Sequence, residues 1–297
     1  MSLRKKRLPT VDALPRAAAA GTATCNLNLG KGYHKIVLEI SDDGTSSAGN
    51  AGDIDATLDA LVGDIRVKLN GKVQRVHTGS QLNAINGVNG AAFRARDSGT
   101  AGTSGYKIYL PIFFAEPWRK NNFEARSAAW NAVGIDSFQV EVDFLSGTTT
   151  PNVTGYYEWD LPSDNKIGLI VKQIRQSLGA VGSTQDFTNL DRSGILQALH
   201  LFPVTNAIYV NKVKLTANSV EIHDLLDTLE NQGALLDREL NPDVSAVPRY
   251  DLVLDYDDPV LSGLQLAGLS ELTLHVEYSA AANGTLTTIP IKVGPPE

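Results

Sequence analysis

The sequence predicts an all-β protein in which one type of domain occurs twice. Strand-forming residues punctuated by Gly, Asn, Thr and Ser dominate over long helical patterns. In addition, a strand–turn–strand–helix pattern at residues 64–87 returns at residues 210–233. The two copies lie about 146 residues apart, close to half of the 297-residue chain, and this period is too long for a solenoid. It indicates a duplicated domain.

The first copy carries the strongest turn signal in the chain. Residues 65–69 alternate apolar and polar side chains, which is the period of a half-buried strand. Asn70-Gly71 follows, and this dipeptide favours a tight hairpin because both central residues of such a turn need a positive φ. Thr78 then begins a short predicted helix.

The second copy predicts a strand at residues 213–215, a turn at Ala217-Asn218 and a helix over Ile222–Leu229. Further predicted strands recur in the same order in both halves. Residues 34–40 correspond to 168–174, residues 106–110 to 250–254, and residues 138–144 to 272–278.

Other elements are expected outside these matched strands. The patterns predict helices at residues 123–133 and 195–202 and a hairpin-like turn at residues 281–284. Prolines, glycines and a threonine run favour a linker between the halves. The expected organisation is an N-terminal basic arm (1–24), a first domain (25–150), a linker (151–165) and a second domain (166–297).

The arm carries a basic cluster in an otherwise acidic chain of net charge −7. Arg4, Lys5, Lys6 and Arg7 have no acidic residue near them before Asp12. One interpretation is contact with an anionic surface, either lipid head groups or nucleic acid. The other is a solvated terminus. The acidic balance argues against nucleic-acid binding by the bulk of the chain.

Composition excludes several other classes. Cys25 is the single cysteine, so an intrachain disulfide is excluded, which fits assembly in a reducing cytoplasm. No apolar run approaches the length of a membrane span, and the first 15 residues lack the apolar segment of a signal peptide.

Motifs for catalysis or metal binding are missing. The five histidines form no HxH or HxxxH pair, and there is no GxSxG, P-loop or Rossmann fingerprint. Acids at residues 42–55 are a minor candidate for calcium, against a solvated loop. Acids at residues 251–258 are expected to face solvent or a basic neighbour, with a bound cation as the minor alternative. We therefore expect no enzyme activity, no cofactor and no metal.

Four aromatic residues leave a second function open: Trp118, Tyr156, Tyr157 and Trp159. These rings either pack a seam between domains or subunits, or form a sugar-stacking platform. The platform would make the protein a lectin-like tandem β-sandwich, which is the alternative function. A cupin-like or glycosidase-like enzyme would need a metal cluster or a converging acid pair.

Several segments carry a resemblance to a known family: ATCNLNLGKGYHKIVLEI (23–40), DIRVKLNGKVQ (64–74), IYLPIFFAEP (108–117) and IDSFQVEVDF (135–144). The strand–LNG–strand–helix order, and an apolar strand ending in Glu116-Pro117, resemble the first domain of double jelly-roll major capsid proteins. These build tailless icosahedral viruses with an internal membrane. The similarity is to the small corticovirus type within the tectivirus and adenovirus lineage.

The resemblance implies two tandem eight-stranded jelly-roll β-sandwiches with short helices in loops. It implies a major capsid protein whose homotrimers have a pseudo-hexagonal outline and tile an icosahedral shell over a lipid membrane. Expected partners are neighbouring trimers, a vertex (penton) protein and the inner membrane, with no specific nucleic acid. Residues 4–7 would face the membrane. The protein would be assembled in the host cytoplasm and reside in the virion capsid.

Overall fold

A computed structural model gives the fold. It describes residues 3–9, 21–42, 53–99, 106–145, 151–162, 164, 166–205, 207–243, 249–254 and 262–297. The chain divides into two compact units, with residues 1–170 and 295–297 in unit 1 and residues 171–294 in unit 2.

Among its described residues, unit 1 has ten strands and three short α-helices. The strands are β1 (Arg4–Arg7), β2 (Gly21–Asn26), β3 (Gly32–Asp42), β4 (Val62–Leu69), β5 (Lys72–Thr78), β6 (Arg96–Ser98), β7 (Lys107–Phe113), β8 (Trp130–Asn131), β9 (Phe138–Phe144) and β10 (Pro151–Asp160). The helices are α1 (Ile54–Leu61), α2 (Gly79–Val88) and α3 (Asn122–Ser127), with a 3-10 turn at Ala91–Phe93.

These strands form two antiparallel sheets. One has the order β1-β10-β3-β7-β6, with β8 beside β3. The other has the order β5-β4-β9-β2. Apolar residues at alternate positions of β3 and β4 belong to one buried cluster, as the alternation of the sequence predicts. Unit 1 is therefore a β-sandwich with its core between the sheets.

Unit 2 begins within β11 (Ile170–Ile174). Its other strands are β12 (Gln176–Phe187), β13 (Ile195–Phe202), β14 (Val210–Ala217), β15 (Val220–Leu226), β16 (Tyr250–Val253), β17 (Leu264–Gln265) and β18 (Leu272–Gly294). A π-helical turn (Asp227–Asn231) leads into α4 (Gln232–Asp237).

Strand β18 organises unit 2. Its first part pairs with β14, and its second part pairs with β13, while β12 pairs with both parts. The pairing of β12 with β18 shifts register between Gly182 and Thr184, as at a β-bulge. The hairpin-like turn predicted at residues 281–284 is wrong, because this segment stays paired with β12.

The predicted duplication is clearest in two hairpins, β4–β5 and β14–β15. Asn70 and Asn218 stand at the same turn position, with φ of 50° and 48°. The second turn is Asn218-Ser219 rather than the predicted Ala217-Asn218, since Ser219 also has a positive φ. The predicted helix over Ile222–Leu229 is wrong in its first half, where β15 continues to Leu226.

Four other segments differ from their prediction because tertiary contacts decide their structure. The helix predicted at 123–133 ends at Ser127, since Trp130 is fully buried and pairs with Tyr33. Residues 195–202 form a strand with six consecutive buried residues, not a helix. Residues 151–160, expected in the linker, form β10 and pair along β3. Within the expected arm, residues 4–7 and 21–24 form β1 and part of β2.

Candidate assembly surface

The basic cluster predicted from the sequence lies on β1, the edge strand of its sheet. β1 runs antiparallel to β10, with Arg4 opposite Trp159 and Arg7 opposite Tyr156. All four basic side chains are exposed. Because β1 is the last strand of the sheet, one row of its backbone N–H and C=O groups has no strand partner among the described residues.

The four cations differ in how far unit 1 neutralises them. Lys5 Nζ lies 3.3 Å from Glu158 Oε1, but Lys35 Nζ lies at the same distance from that oxygen. The Arg4 guanidinium lies 5.2 Å from the ring centre of Trp159. Within the described part of the chain, Lys6 and Arg7 have no carboxylate partner. The strand therefore presents uncompensated positive charge.

The residues that follow β1 anchor it to the sandwich. Leu8 is buried in the core of unit 1, and its N–H donates to the carbonyl of Gly155 at 2.9 Å. Gly155 has a φ of 143°, and a Cβ there would stand 2.0 Å from the Val37 carbonyl oxygen. Only glycine fits this contact. β1 is thus held in a fixed register by buried contacts.

A shallow open groove of about 600 Å³ runs along β1. It is lined by Lys5, Lys6, Arg7, Glu39, Thr154, Gly155 and Tyr156. The single carboxylate in this lining, Glu39, accepts a hydrogen bond from Lys107 Nζ at 2.6 Å. The groove therefore has a net positive charge and suits an anionic partner.

The aromatic residues do not form one open sugar platform. Tyr157 is fully buried in the core of unit 1. The Arg4 guanidinium lies over the ring of Trp159, and Lys31 Nζ lies 4.3 Å from the centre of that ring. Trp118 packs edge-on within 5.6 Å of both Phe93 and Phe113. These rings pack protein rather than presenting free faces for stacking.

Two of the acids considered for calcium, Asp53 and Asp55, make structural contacts. Asp53 caps α1 by accepting a backbone N–H of its first turn at 3.1 Å. Asp55 accepts from Asn83 at 2.6 Å and from Arg94 at 3.0 Å. Residues 43–52 lie outside the described part. Across the residues that the structure describes, no group of three or more His, Cys, Asp or Glu has a geometry suited to a metal ion.

Asp251 lies in the interior of unit 2, so the prediction that it faces solvent or a basic neighbour is wrong. Its Oδ1 is 2.6 Å from His200 Nδ1, and its Oδ2 accepts from Arg249 Nη2 at 2.7 Å. Burial would raise the pKa of Asp251, but Arg249 and His200 outweigh it and lower the pKa to about 2. The sequence signal for this buried ion pair is weak, since acids crowd residues 251–258.

Two further groups with catalytic potential have ordinary environments. Cys25 is buried, and burial raises the pKa of its thiol to about 11, so it is a poor nucleophile. His275 lies on the surface of unit 2, with its Nδ1 2.6 Å from Asp186 Oδ1.

Among the described residues, no helix is long and apolar enough to cross a membrane.

Comparison with known proteins identifies the family. Residues 8–160, just over half of the chain, match the model of the viral coat protein P2 N-terminal domain. The chain belongs to this viral coat protein family. It is therefore a structural capsid protein and not an enzyme, and its place is the virion capsid. The lectin-like alternative has no support from the fold or the rings. No curated protein matches the chain at the sequence level.

Solved capsid proteins share the fold of this coat protein over nearly its whole length. The major capsid protein P2 from bacteriophage PM2 aligns over 98% of this chain and 97% of its own, with a TM-score of 0.72 and 16% identity. The STIV major capsid protein aligns over 99% of this chain and 97% of its own, with a TM-score of 0.65 and 10% identity. The PBCV-1 virus capsid aligns over 98% of this chain and 93% of its own, with a TM-score of 0.60 and 10% identity. These likenesses confirm the predicted double jelly-roll fold.

Proposed function

We propose that this coat protein forms homotrimers of pseudo-hexagonal outline that tile an icosahedral shell. The observation that carries the proposal is the duplication itself. Asn70 and Asn218 place the same turn, followed by the same strand, in two sandwiches of one chain. Three copies around a threefold axis supply six similar blocks, and six similar blocks can fill a nearly hexagonal tile.

The shell encloses an internal lipid membrane and meets a separate vertex protein, and the trimers assemble in the host cytoplasm. The family membership and the double jelly-roll fold support this arrangement. Strand β1 contacts an anionic surface of the particle, which its exposed cations and its cationic groove support. Anionic lipid head groups and an acidic face of a neighbouring copy both meet that description.

Sedimentation velocity of the purified chain tests the trimer. One chain has a mass of 31.8 kDa, so a trimer sediments as a species of about 95 kDa. We expect this species over a wide range of concentration, because trimer interfaces in shells are large and apolar. A chain that remains at 31.8 kDa at high micromolar concentration would overturn the trimer proposal.

A further inference from the structure

Strand β15 leaves an apolar edge of unit 2 open. In the described part of the chain, β15 lies at the end of its sheet and pairs with β14 alone. Val220, Ile222 and Leu226 are 61%, 39% and 39% exposed. An exposed apolar edge strand of this length is a template for contact with another chain.

The equivalent strand of unit 1 is covered. In both hairpins, one residue of the second strand bulges out of register, Gln74 in β5 and Ile222 in β15. Gln74 is fully buried, and so are its neighbours Arg75 and His77. The same strand position is therefore buried in one unit and open in the other, which indicates that β15 is covered only on assembly.

Charge favours a basic partner for β15. Residues 171–294 contain eight Lys and Arg against fifteen Asp and Glu, so the formal net charge of −7 lies entirely in unit 2. At β15 itself, Glu221 has a half-exposed side chain whose carboxylate also pairs with Lys214 Nζ on β14 at 2.5 Å. Glu230 is exposed and lies beside the end of the strand, where its Oε2 accepts the Leu226 N–H at 2.8 Å.

Strand β1 has an open edge and a basic charge that complement β15. It is an edge strand, it is basic at all four positions, and it is the first strand of unit 1, paired with the last strand β10. Two copies of β1 repel each other, so β1 disfavours a symmetric contact with itself. It suits a different, acidic edge, and a contact between unlike surfaces generates a closed ring when the rotation closes.

We infer that β15, with Glu221 and Glu230, docks against β1 of a second copy of this chain, with Lys6 and Arg7 facing those acids. The inference rests on the proposed trimer and names the two edges that join its subunits. Repeated three times around the axis, this contact uses both edges of every copy and leaves neither exposed.

Charge reversal at both edges tests the contact. The β1 variant is Lys6→Glu with Arg7→Glu, and the β15 variant is Glu221→Lys with Glu230→Lys. We expect each to raise the concentration at which half of the trimer dissociates by about tenfold or more, measured by sedimentation. Combining all four substitutions restores the contact with opposite signs, and should return that concentration to within about threefold of the wild-type value.

The matched control is Lys72→Glu with Arg96→Glu, which makes the same change in net charge at other exposed sites of unit 1. It should leave the trimer unchanged. If the β1 variant dissociates no more readily than wild type, the inference is wrong. If that variant stays trimeric but no longer floats with phosphatidylglycerol vesicles, β1 binds lipid instead. A wild-type chain that never trimerises contradicts the proposed function itself, independently of these variants.

Discussion

The hairpins β4–β5 and β14–β15 share a backbone but differ in what surrounds them. Each turn has Asn at a positive φ, and each second strand has one bulged residue at the same position. Asn70 Oδ1 accepts backbone N–H groups of Asp136 and Ser137 at 2.7 and 3.2 Å. Asn218 Oδ1 does the same for Ser270 and Glu271 at 2.9 and 3.1 Å.

The side chains after the bulge have diverged. Arg75 in unit 1 is buried, with its guanidinium 4.8 Å from the ring centre of Trp130. Its equivalent in unit 2 is His223, whose Nε2 lies 2.8 Å from the Tyr250 hydroxyl. Burial lowers the pKa of Arg75 to about 9 and that of His223 to about 4. Local hydrogen bonds preserve the duplicated hairpin while the core around it changes.

Replacing the turn asparagines breaks the shared feature and has the largest expected effect. Asn70→Ala and Asn218→Ala each lose the side-chain bonds to the next strand and place Ala at a positive φ. We expect each to lower the free energy of unfolding by about 2 kcal/mol in urea titrations. The control Asn26→Ala loses one exposed bond to Gln139 and should cost less than about 0.5 kcal/mol. Equal losses in variant and control would contradict this account.

The helical segments after the two hairpins differ in their first residue, Gly79 in unit 1 and Asp227 in unit 2. Burial raises the pKa of Asp227 to about 7. The unfolded chain releases this proton near pH 4, so the wild type loses stability as pH rises from about 4 to about 7. Asp227→Asn removes that loss.

The stability of Asp227→Asn relative to wild type should therefore increase between pH 5 and pH 8, as measured by urea midpoints. His223 contributes the opposite slope, because its lowered pKa adds stability as pH rises from about 4 to about 6.5. Its contribution is present in both proteins and cancels in the difference. A difference that does not depend on pH would show that Asp227 is ionised in the folded chain throughout.

Exchanging the second turn residues should have the smallest effect. Gly71 and Ser219 both have a positive φ, of 78° and 64°. Glycine adopts this conformation without steric cost, so Ser219→Gly should stabilise unit 2 by about 0.5 kcal/mol. Gly71→Ser should destabilise unit 1 by about 1 kcal/mol. Shifts of the same sign in thermal denaturation would contradict the equivalence of the two turns.

The sequence predicts elements well where local signals and packing agree. Asn70-Gly71 and the flanking alternation place β4 and β5 correctly. Residues 195–202 read as a helix because apolar residues occur on every side, and only burial in a sheet distinguishes a strand there. α1 is absent from the predicted elements, although Asp53 before Ile54 and the spacing of Leu58 and Leu61 fit a capped amphipathic helix.

The candidate surface could be predicted only in part. The charge of residues 4–7 is evident in the sequence, but their pairing with β10 depends on residues about 150 positions away in the chain. The open edge of β15 appears only when it is compared with the buried β5. The buried Asp251–Arg249 pair is likewise a product of tertiary packing, since neighbouring acids in the sequence look the same.

Negative-stain electron microscopy of the purified chain, with class averages, tests whether the chain forms the proposed trimer. We expect particles of three chains with six lobes and a pseudo-hexagonal outline, because each chain contributes two similar sandwiches. Monomers, or dimers with two lobes, would contradict it.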